Sequence, residues 1–192
     1  YTYMESVNMK NTYSRIKGNL NLEGTTDPLT GQQNYAFDNS KIGAKVTVTS
    51  YDGKTVFEAP IENKNGNYTA DGMNADKNAY TLKVDAPGHF TMYKSFELSD
   101  DVRGELIGKD RVFSTQPKAG DANKDNVIDI MDALYLQTNW GTNKSGADLN
   151  FDGVVDKKDM DLLIKNYGLQ NSTVPNAPKA KTSYNCSTLA TV

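Results

Sequence analysis

The fold is decided by two stretches of sequence, GDANKDNVIDIMDALYLQTNWG (120–141) and ADLNFDGVVDKKDMDLLIKNYG (147–168). They align with an offset of 27 residues, the separation of Asp121 from Asp148, and nine of the 22 aligned positions are identical. Five of these nine positions hold Asp or Asn at matching places in the loops, and a sixth holds Val. Chance does not readily repeat polar spacing in this way, so the two stretches are tandem copies of one structural unit.

Each repeat begins with a loop that has the ligand spacing of an EF-type calcium site. Side-chain oxygens stand at loop positions 1, 3, 5, 9 and 12, and position 7 offers its backbone carbonyl. The first loop supplies these groups from Asp121, Asn123, Asp125, Val127, Asp129 and Asp132. The second supplies them from Asp148, Asn150, Asp152, Val154, Asp156 and Asp159. We expect two Ca²⁺ ions as cofactors, one in each loop. Mg²⁺ is disfavoured because it needs strict octahedral geometry, and an Asx-rich turn without metal is the alternative.

Two loop positions set the local geometry. Position 6 must turn sharply, and Gly153 suits a left-handed backbone, with Asn126 the next best residue type. Position 12 is Asp in both loops rather than the Glu of sensor EF-hands. An Asp can still bind through both oxygens, but the helix that carries it must then come closer to the ion.

One helix is expected after each loop and none before it. Apolar residues at helical spacing predict helices at 130–140 and 157–167, each ending in an aromatic residue followed by glycine. The segments before the loops, 115–120 and 142–147, are short and polar. A tandem pair of DxNxDGxxDxxD-like loops, each followed by one helix, resembles the dockerin family of cellulosome proteins, and the resemblance covers roughly 118–169.

The resemblance implies a small α domain at 117–169 with two calcium loop-helix (F-hand) repeats, which folds with calcium and binds a cohesin module. The apolar pair Ile130-Met131, at loop positions 10 and 11, resembles the type II class, which anchors a scaffoldin to the cell surface. Lys157-Lys158 occupy these positions in the second repeat and argue against a two-fold, reversible binding mode. The implied protein is a non-catalytic, extracellular adaptor at the bacterial cell surface.

Residues 1–116 have the alternation of short strands separated by turns. Strands are predicted at 16–22, 44–49, 55–61, 80–84, 90–98 and 105–113, with turns at Asp52-Gly53, Asn65-Gly66, Asp71-Gly72 and Pro87-Gly88. About seven short strands at this spacing favour an all-β, Ig-like sandwich, while the polar stretch 24–40 is expected to be a loop. Next to a dockerin, such a domain resembles an X-module, which is expected to pack on its own dockerin across a short linker at Pro117. The polar C-terminal tail, 170–192, is expected to be poorly ordered unless something ties it down.

Comparison of the two repeats separates core positions from candidate partner positions. Apolar residues in both copies predict a shared core, formed by the pairs Ile128/Val155, Ala133/Met160, Leu136/Leu163 and Trp140/Tyr167. Ile130, Met131 and Leu134 instead align with Lys157, Lys158 and Asp161, so their apolar character needs another explanation. The predicted partner-binding residues are Ile130, Met131, Leu134, Gln137, Thr138, Lys157, Lys158, Leu162 and Lys165. The alternative is that this face packs on the β-domain or the tail.

Composition excludes several functional classes. The net charge of −3 and the pI of about 5.2 argue against nucleic acid, and no apolar run is long enough for membrane insertion. One cysteine (Cys186, a free thiol in the tail) and one histidine (His89, expected on a surface loop) exclude an intrachain disulfide and a Cys/His zinc site. No nucleophile or phosphate-loop motif indicates an enzyme. The remaining alternatives are a calcium sensor, disfavoured by the missing entering helices, and a carbohydrate-binding β-sandwich that stacks sugars on its tyrosines (Tyr13, Tyr35, Tyr51, Tyr68, Tyr80 and Tyr93).

Overall fold

The computed structural model describes residues 13–27, 29–30 and 32–183. This part of the chain is mostly β in its N-terminal region and has two α-helices near its C-terminus. The strands are β1 (Tyr13–Leu20), β2 (Lys45–Thr49), β3 (Val56–Glu58), β4 (Asn67–Asn74), β5 (Tyr80–Asp85), β6 (Met92–Phe96), β7 (Ser99–Val102), β8 (Glu105–Gly108) and β9 (Asp110–Thr115). A 3-10 helix (Asn39–Lys41) interrupts the long polar loop, and the α-helices are α1 (Ile130–Thr138) and α2 (Lys157–Lys165).

The strands form two main sheets and a hairpin. One sheet has the order β4-β1-β9, in which β1 pairs antiparallel with β4 and parallel with β9. The other has the order β3-β2-β5-β6 and is antiparallel throughout. β7 and β8 form a separate antiparallel hairpin.

A single apolar core joins the two sheets. Ile16 and Met73 from the first sheet and Val48 and Leu82 from the second belong to one cluster, and each is at most 1% exposed. Buried positions alternate with exposed or partly exposed ones along β2 and β5, as expected for strands with one face against a core. Tyr68 and Tyr80 lie in this core, so two of the six tyrosines considered for sugar stacking are buried.

Two features of the strand prediction were wrong. Asp71-Gly72 was expected to be a turn, but it lies inside β4, where these two residues oppose Arg15 of β1 in a β-bulge. Gly72 has a φ of +79°, which glycine adopts without strain. The single strand expected at 105–113 is divided into β8 and β9 around Lys109.

The two repeats pack on each other around a second core. Ile128, Leu136, Val155 and Leu163 are fully buried there, as predicted from the repeat alignment. Trp140 and Tyr167 were also expected in this core, but they are 49% and 41% exposed. The helices end at Thr138 and Lys165, so the last positions of the predicted stripe lie beyond the helices and turn outward.

The β-region contributes to this second core. Phe90, which follows β5, is 4% exposed and belongs to the cluster between the repeats. Phe151, from the second loop, packs in turn against the core of the β-region. Among the described residues, no helix is long and apolar enough to cross a membrane.

Candidate metal centres and partner surface

Each predicted calcium loop gathers three carboxylates. Oxygen atoms of Asp121, Asp125 and Asp132 lie within 4.8 Å of one another, and the same holds for Asp148, Asp152 and Asp159. Of the four carboxylates predicted in each loop, those at positions 1, 5 and 12 meet, whereas Asp129 and Asp156, at position 9, are not part of these clusters. Position 6 takes the expected left-handed backbone, with φ of +72° at Asn126 and +93° at Gly153.

The two loops share one set of hydrogen bonds at position 1. Asp121 accepts the backbone N–H groups of Asp125 and Asn126, each at 3.0 Å, with separate oxygens. Asp148 accepts those of Asp152 at 3.2 Å and Gly153 at 2.8 Å in the same way. These bonds wind the loop around the carboxylate and hold its oxygens toward the inside.

The carboxylate at position 12 closes each loop. Asp132 accepts the backbone N–H of Asn123 at 3.2 Å and that of Asp129 at 2.9 Å. Asp159 repeats both contacts with Asn150 and Asp156. The residue at position 9, Asp129 or Asp156, is the N-cap of the following helix and forms a capping box with position 12. The start of each helix is thereby fixed to its loop.

Buried negative charge in these loops calls for a cation. Asp121, Asp132 and Asp159 are fully buried, and Asp148 is 8% exposed. Burial raises the pKa of Asp121 to about 6 and that of Asp132 to about 8, and it also raises the pKa of Asp159. An ionised carboxylate out of water is costly unless an opposite charge compensates it. All-oxygen ligand sets of this kind suit a hard divalent cation such as Ca²⁺.

Reciprocal backbone hydrogen bonds, which the sequence analysis did not anticipate, join the two repeats. Gly168, after α2, donates its N–H to the carbonyl of Ile128 at 2.7 Å, and Ile128 donates to Leu169 at 2.9 Å. Gly141, after α1, donates its N–H to the carbonyl of Val155 at 2.8 Å, and Val155 donates its N–H to the carbonyl of Thr142 at 2.7 Å. Position 8 of each loop is thus held by the segment after the other helix.

Glu23 is the centre of the contact between the β-region and the repeats, and the residue is only 5% exposed. It accepts hydrogen bonds from the Asn166 side-chain amide and from the N–H of Ala119 at 3.2 Å. Lys165 Nζ and Lys118 Nζ lie 3.3 and 3.4 Å from the same carboxylate oxygen, Oε2. Burial alone would raise the pKa of Glu23, but these hydrogen bonds and positive charges outweigh it and lower the pKa.

His89 lies in the same contact and corrects the surface-loop prediction. It is fully buried, its Nε2 lies 2.6 Å from the carbonyl of Glu23, and its ring stacks on Phe151 with centroids 5.6 Å apart. Burial lowers the pKa of the imidazole below its ordinary value of 6.5. Nothing in a lone histidine after Pro87-Gly88 indicates this, because burial depends on the second loop docking against it.

The predicted partner residues fall into two groups. On the first repeat, Gln137 and Thr138 are exposed and Ile130 is half-buried, but Met131 and Leu134 are each only 8% exposed. Met131 and Leu134 are therefore buried within the chain, as the alternative that this face packs on the β-domain or the tail requires.

The second repeat places its four candidates differently. Lys157 and Lys158 are exposed, and Lys157 pairs with Asp161 at 2.8 Å. Leu162 packs against the second core, with its Cδ1 atom close to Gly24, and Lys165 is paired with Glu23. Leu162 and Lys165 therefore take part in the contact with the β-region.

The C-terminal tail is tied down over its described length, to residue 183. Asn171 is 2% exposed and donates its side-chain amide to the carbonyl of Thr91 at 2.7 Å. Lys181 donates its backbone N–H to Asp129 at 2.9 Å. Cys186 lies outside the described residues.

Comparisons with known proteins agree with this geometry. Residues 114–167 match the family model of the dockerin type I domain. We refer to them as the dockerin segment.

Solved structures extend the similarity to the β-region. Two crystal structures match, a C-terminal and an N-terminal interface mutant of the type II cohesin–X-dockerin complex from Acetivibrio cellulolyticus. Each matched chain is 21% identical and is covered to 98%, against 83% of this chain, with TM-scores of 0.60 and 0.59. At this identity the likeness is one of fold. The search of curated proteins gave no match.

Proposed function

We propose that this chain is a non-catalytic, calcium-dependent adaptor whose dockerin segment binds a cohesin module in cellulosome assembly. The observation that carries the proposal is the pair of matched carboxylate clusters inside the dockerin segment, Asp121/Asp125/Asp132 and Asp148/Asp152/Asp159. Both clusters bury charge that a cation would compensate, and both fix the start of a helix. Folding of the helices is thereby coupled to metal binding.

Two Ca²⁺ ions are assigned to the loops, one each. The first would be held by Asp121, Asn123, Asp125, Asp129, Asp132 and the carbonyl of Val127. The second would be held by Asp148, Asn150, Asp152, Asp156, Asp159 and the carbonyl of Val154. Bound Ca²⁺ would supply the positive charge that the buried carboxylates need, and the loops would hold α1 and α2 in the arrangement that a partner recognises.

The β-region is assigned the role of an X-module, an Ig-like sandwich spanning 1–116 that supports the dockerin at 117–169. The support for this is physical contact between the two regions. Glu23 bonds Asn166, His89 stacks on Phe151, and Phe90 lies in the core between the repeats. Such a contact preorganises the dockerin and reduces the ordering cost of binding. In this proposal the partner is a cohesin of an anchoring scaffoldin, and the chain works outside the cell at the bacterial surface.

The cohesin class is the finer part of the proposal. The family model is that of type I, whereas the similar crystal structures are type II complexes. We give more weight to the apolar Ile130-Met131 pair and to the associated β-region, and assign type II.

The test is binding of the purified chain to immobilised type I and type II cohesin modules, in calcium and in chelator. The type II cohesin of the Acetivibrio cellulolyticus complexes is a suitable probe. Calcium-dependent capture by type II cohesin is the expected result. Capture by type I cohesin alone would overturn the class, and capture by neither would overturn the adaptor function.

A further inference from the structure

The C-terminal tail is held at two separate places on the first repeat. At the first, Asn171 donates its backbone N–H to the carbonyl of Asn126 at 2.8 Å and its side-chain amide to Asn126 Oδ1 at 3.1 Å. Its side chain also bonds Thr91, next to the edge strand β6. The tail is therefore anchored between the first calcium loop and the β-region before it continues.

The second contact lies at the start of α1. Lys181 donates its backbone N–H to Asp129 Oδ2 at 2.9 Å and accepts the N–H of Ile130 at 3.3 Å. Between the two contacts, the side chain of Gln170 donates to the carbonyls of Ala177 and Pro178 at 2.9 and 2.8 Å. We call residues 177–181 the strap, since Gln170 holds one end of this segment and the start of α1 holds the other.

The strap lies where the two repeats differ. Asp129, at position 9 of the first loop, is fully buried, whereas its equivalent Asp156 is partly exposed. Met131 and Leu134 are 8% exposed without belonging to the core between the repeats, while the equivalent Lys158 and Asp161 are exposed. The apolar residues occur in the repeat that the tail crosses, and charged residues occupy the same positions in the repeat that has no strap.

We propose that the strap is an intramolecular occupant of the partner face at the start of α1, and that a partner binds there by displacing it. The inference rests on the proposed function, because it takes Ile130, Met131 and Leu134 as part of the cohesin-binding face. A site that is closed most of the time binds with an affinity reduced by the fraction of open molecules. The strap therefore sets how tightly the dockerin segment holds its partner.

Hydrogen exchange of the Ile130 amide shows directly whether the strap is in place, because this amide is bonded to Lys181. As the first residue of α1, its N–H has no acceptor within the helix, and Lys181 supplies one. Deleting residues 175–192 removes the strap and keeps Asn171, with its contacts to Asn126 and Thr91, in the chain. Deleting 184–192 is the matched control, since it leaves 177–181 in place. Gln170→Ala loosens the strap without shortening the chain and keeps the test informative if the longer deletion folds poorly.

Hydrogen exchange of Ile130 and affinity for type II cohesin are measured on all four proteins in saturating calcium. We expect the 175–192 deletion to speed exchange of the Ile130 amide and to tighten cohesin binding, each by about tenfold, the factor for a site closed about nine-tenths of the time. Gln170→Ala should shift both in the same direction, and the control deletion should leave both unchanged.

Other results overturn the proposal in distinguishable ways. Unchanged Ile130 exchange would show that the strap does not hold this position. Faster exchange with unchanged or weaker cohesin binding would show that the strap covers the helix but does not compete with the partner. Failure of all four proteins to bind any cohesin would overturn the proposed function and the competition together, while exchange would still report whether the strap is present.

Discussion

Asn166, the C-cap of α2, donates its side-chain amide to the buried carboxylate of Glu23, 143 residues earlier in the chain. The same amide donates to the carbonyl of Ala119 at 2.8 Å. One side chain thus joins the β-region, the segment that leads into the first loop and the end of the second helix. The dockerin segment therefore packs on the β-region through buried hydrogen bonds as well as through apolar contacts.

Replacing Glu23 by alanine should destabilise the protein by about 2–4 kcal/mol. The change leaves the buried Asn166 amide and the Ala119 N–H without their acceptor, and each unsatisfied buried group costs about 1–3 kcal/mol. Urea unfolding in saturating calcium measures the effect. Glu97→Ala, at an exposed position, is the control and should change the free energy of unfolding by less than about 0.5 kcal/mol. If both changes lower the free energy of unfolding by the same amount, Glu23 does not stabilise the contact.

His89 should make the folded protein less stable in mild acid. Its pKa is lowered by burial in the folded state, so the unfolded chain binds the proton first as the pH falls below 6.5. Stability is therefore present above this pH and is lost below it, with a slope of at most about 1.4 kcal/mol per pH unit. Free energies of unfolding at pH 7.5 and 5.5, in saturating calcium, should differ less in His89→Gln than in the natural protein. The same difference in both proteins would contradict a buried neutral imidazole.

Gly88→Ala should disturb the docking of the β-region on the second loop. Gly88 has a φ of +71°, and an added Cβ would lie 2.5 Å from Leu149 Cδ2 and 2.8 Å from the carbonyl oxygen of Gly146. Gly53 has a φ of +72° with open space around it, so Gly53→Ala carries the same backbone strain without the clash. We expect Gly88→Ala to cost about 1–3 kcal/mol more than Gly53→Ala in chemical unfolding. Equal losses of unfolding free energy in Gly88→Ala and Gly53→Ala would mean that the two regions do not pack as described.

Asp132→Asn should weaken calcium binding at the first loop by more than about 100-fold. Loss of a group that only orients a ligand costs about 10–100-fold in metal affinity, and loss of a direct carboxylate ligand should exceed this. Calorimetry should then detect one tight site in place of two. Asp161→Asn, an exposed carboxylate paired with Lys157, is the control and should retain both sites. Two unchanged sites in the Asp132 variant would exclude it as a ligand.

The double change of Ile130 and Met131 to alanine should weaken cohesin binding by more than about 1 kcal/mol, the level at which an interface residue counts as contributing. Surface plasmon resonance against type II cohesin measures it. Val112→Ala, at a position 78% exposed on β9, controls for loss of an exposed apolar side chain elsewhere. A loss of affinity below about 1 kcal/mol would place the energetic centre of the interface on other residues.

Sequence spacing predicted the carboxylate clusters because each cluster forms within a single loop. Positions 1, 5 and 12 meet within twelve consecutive residues, and Asn126 and Gly153 adopt the backbone that their residue types favour. The same reasoning failed at Asp71-Gly72, since a bulge inside a strand and a turn between strands use the same residue types. Only the pairing of β4 with β1 distinguishes them.

Long-range contacts account for the residues that the sequence analysis missed. Glu23 looks like any surface glutamate until Ala119, Lys165 and Asn166 surround it. Met131 and Leu134 lie off the shared core stripe, as predicted, but no local pattern indicates that the tail crosses the start of their helix. Each of these depends on segments brought together from more than 40 residues away.

Calorimetric titration of the chelator-stripped protein with calcium is the decisive experiment for a calcium-dependent adaptor. We expect two binding sites, with heat that includes the ordering of α1 and α2. Absence of calcium binding would contradict it, because the buried negative charge of both loops would then have no bound cation to compensate it.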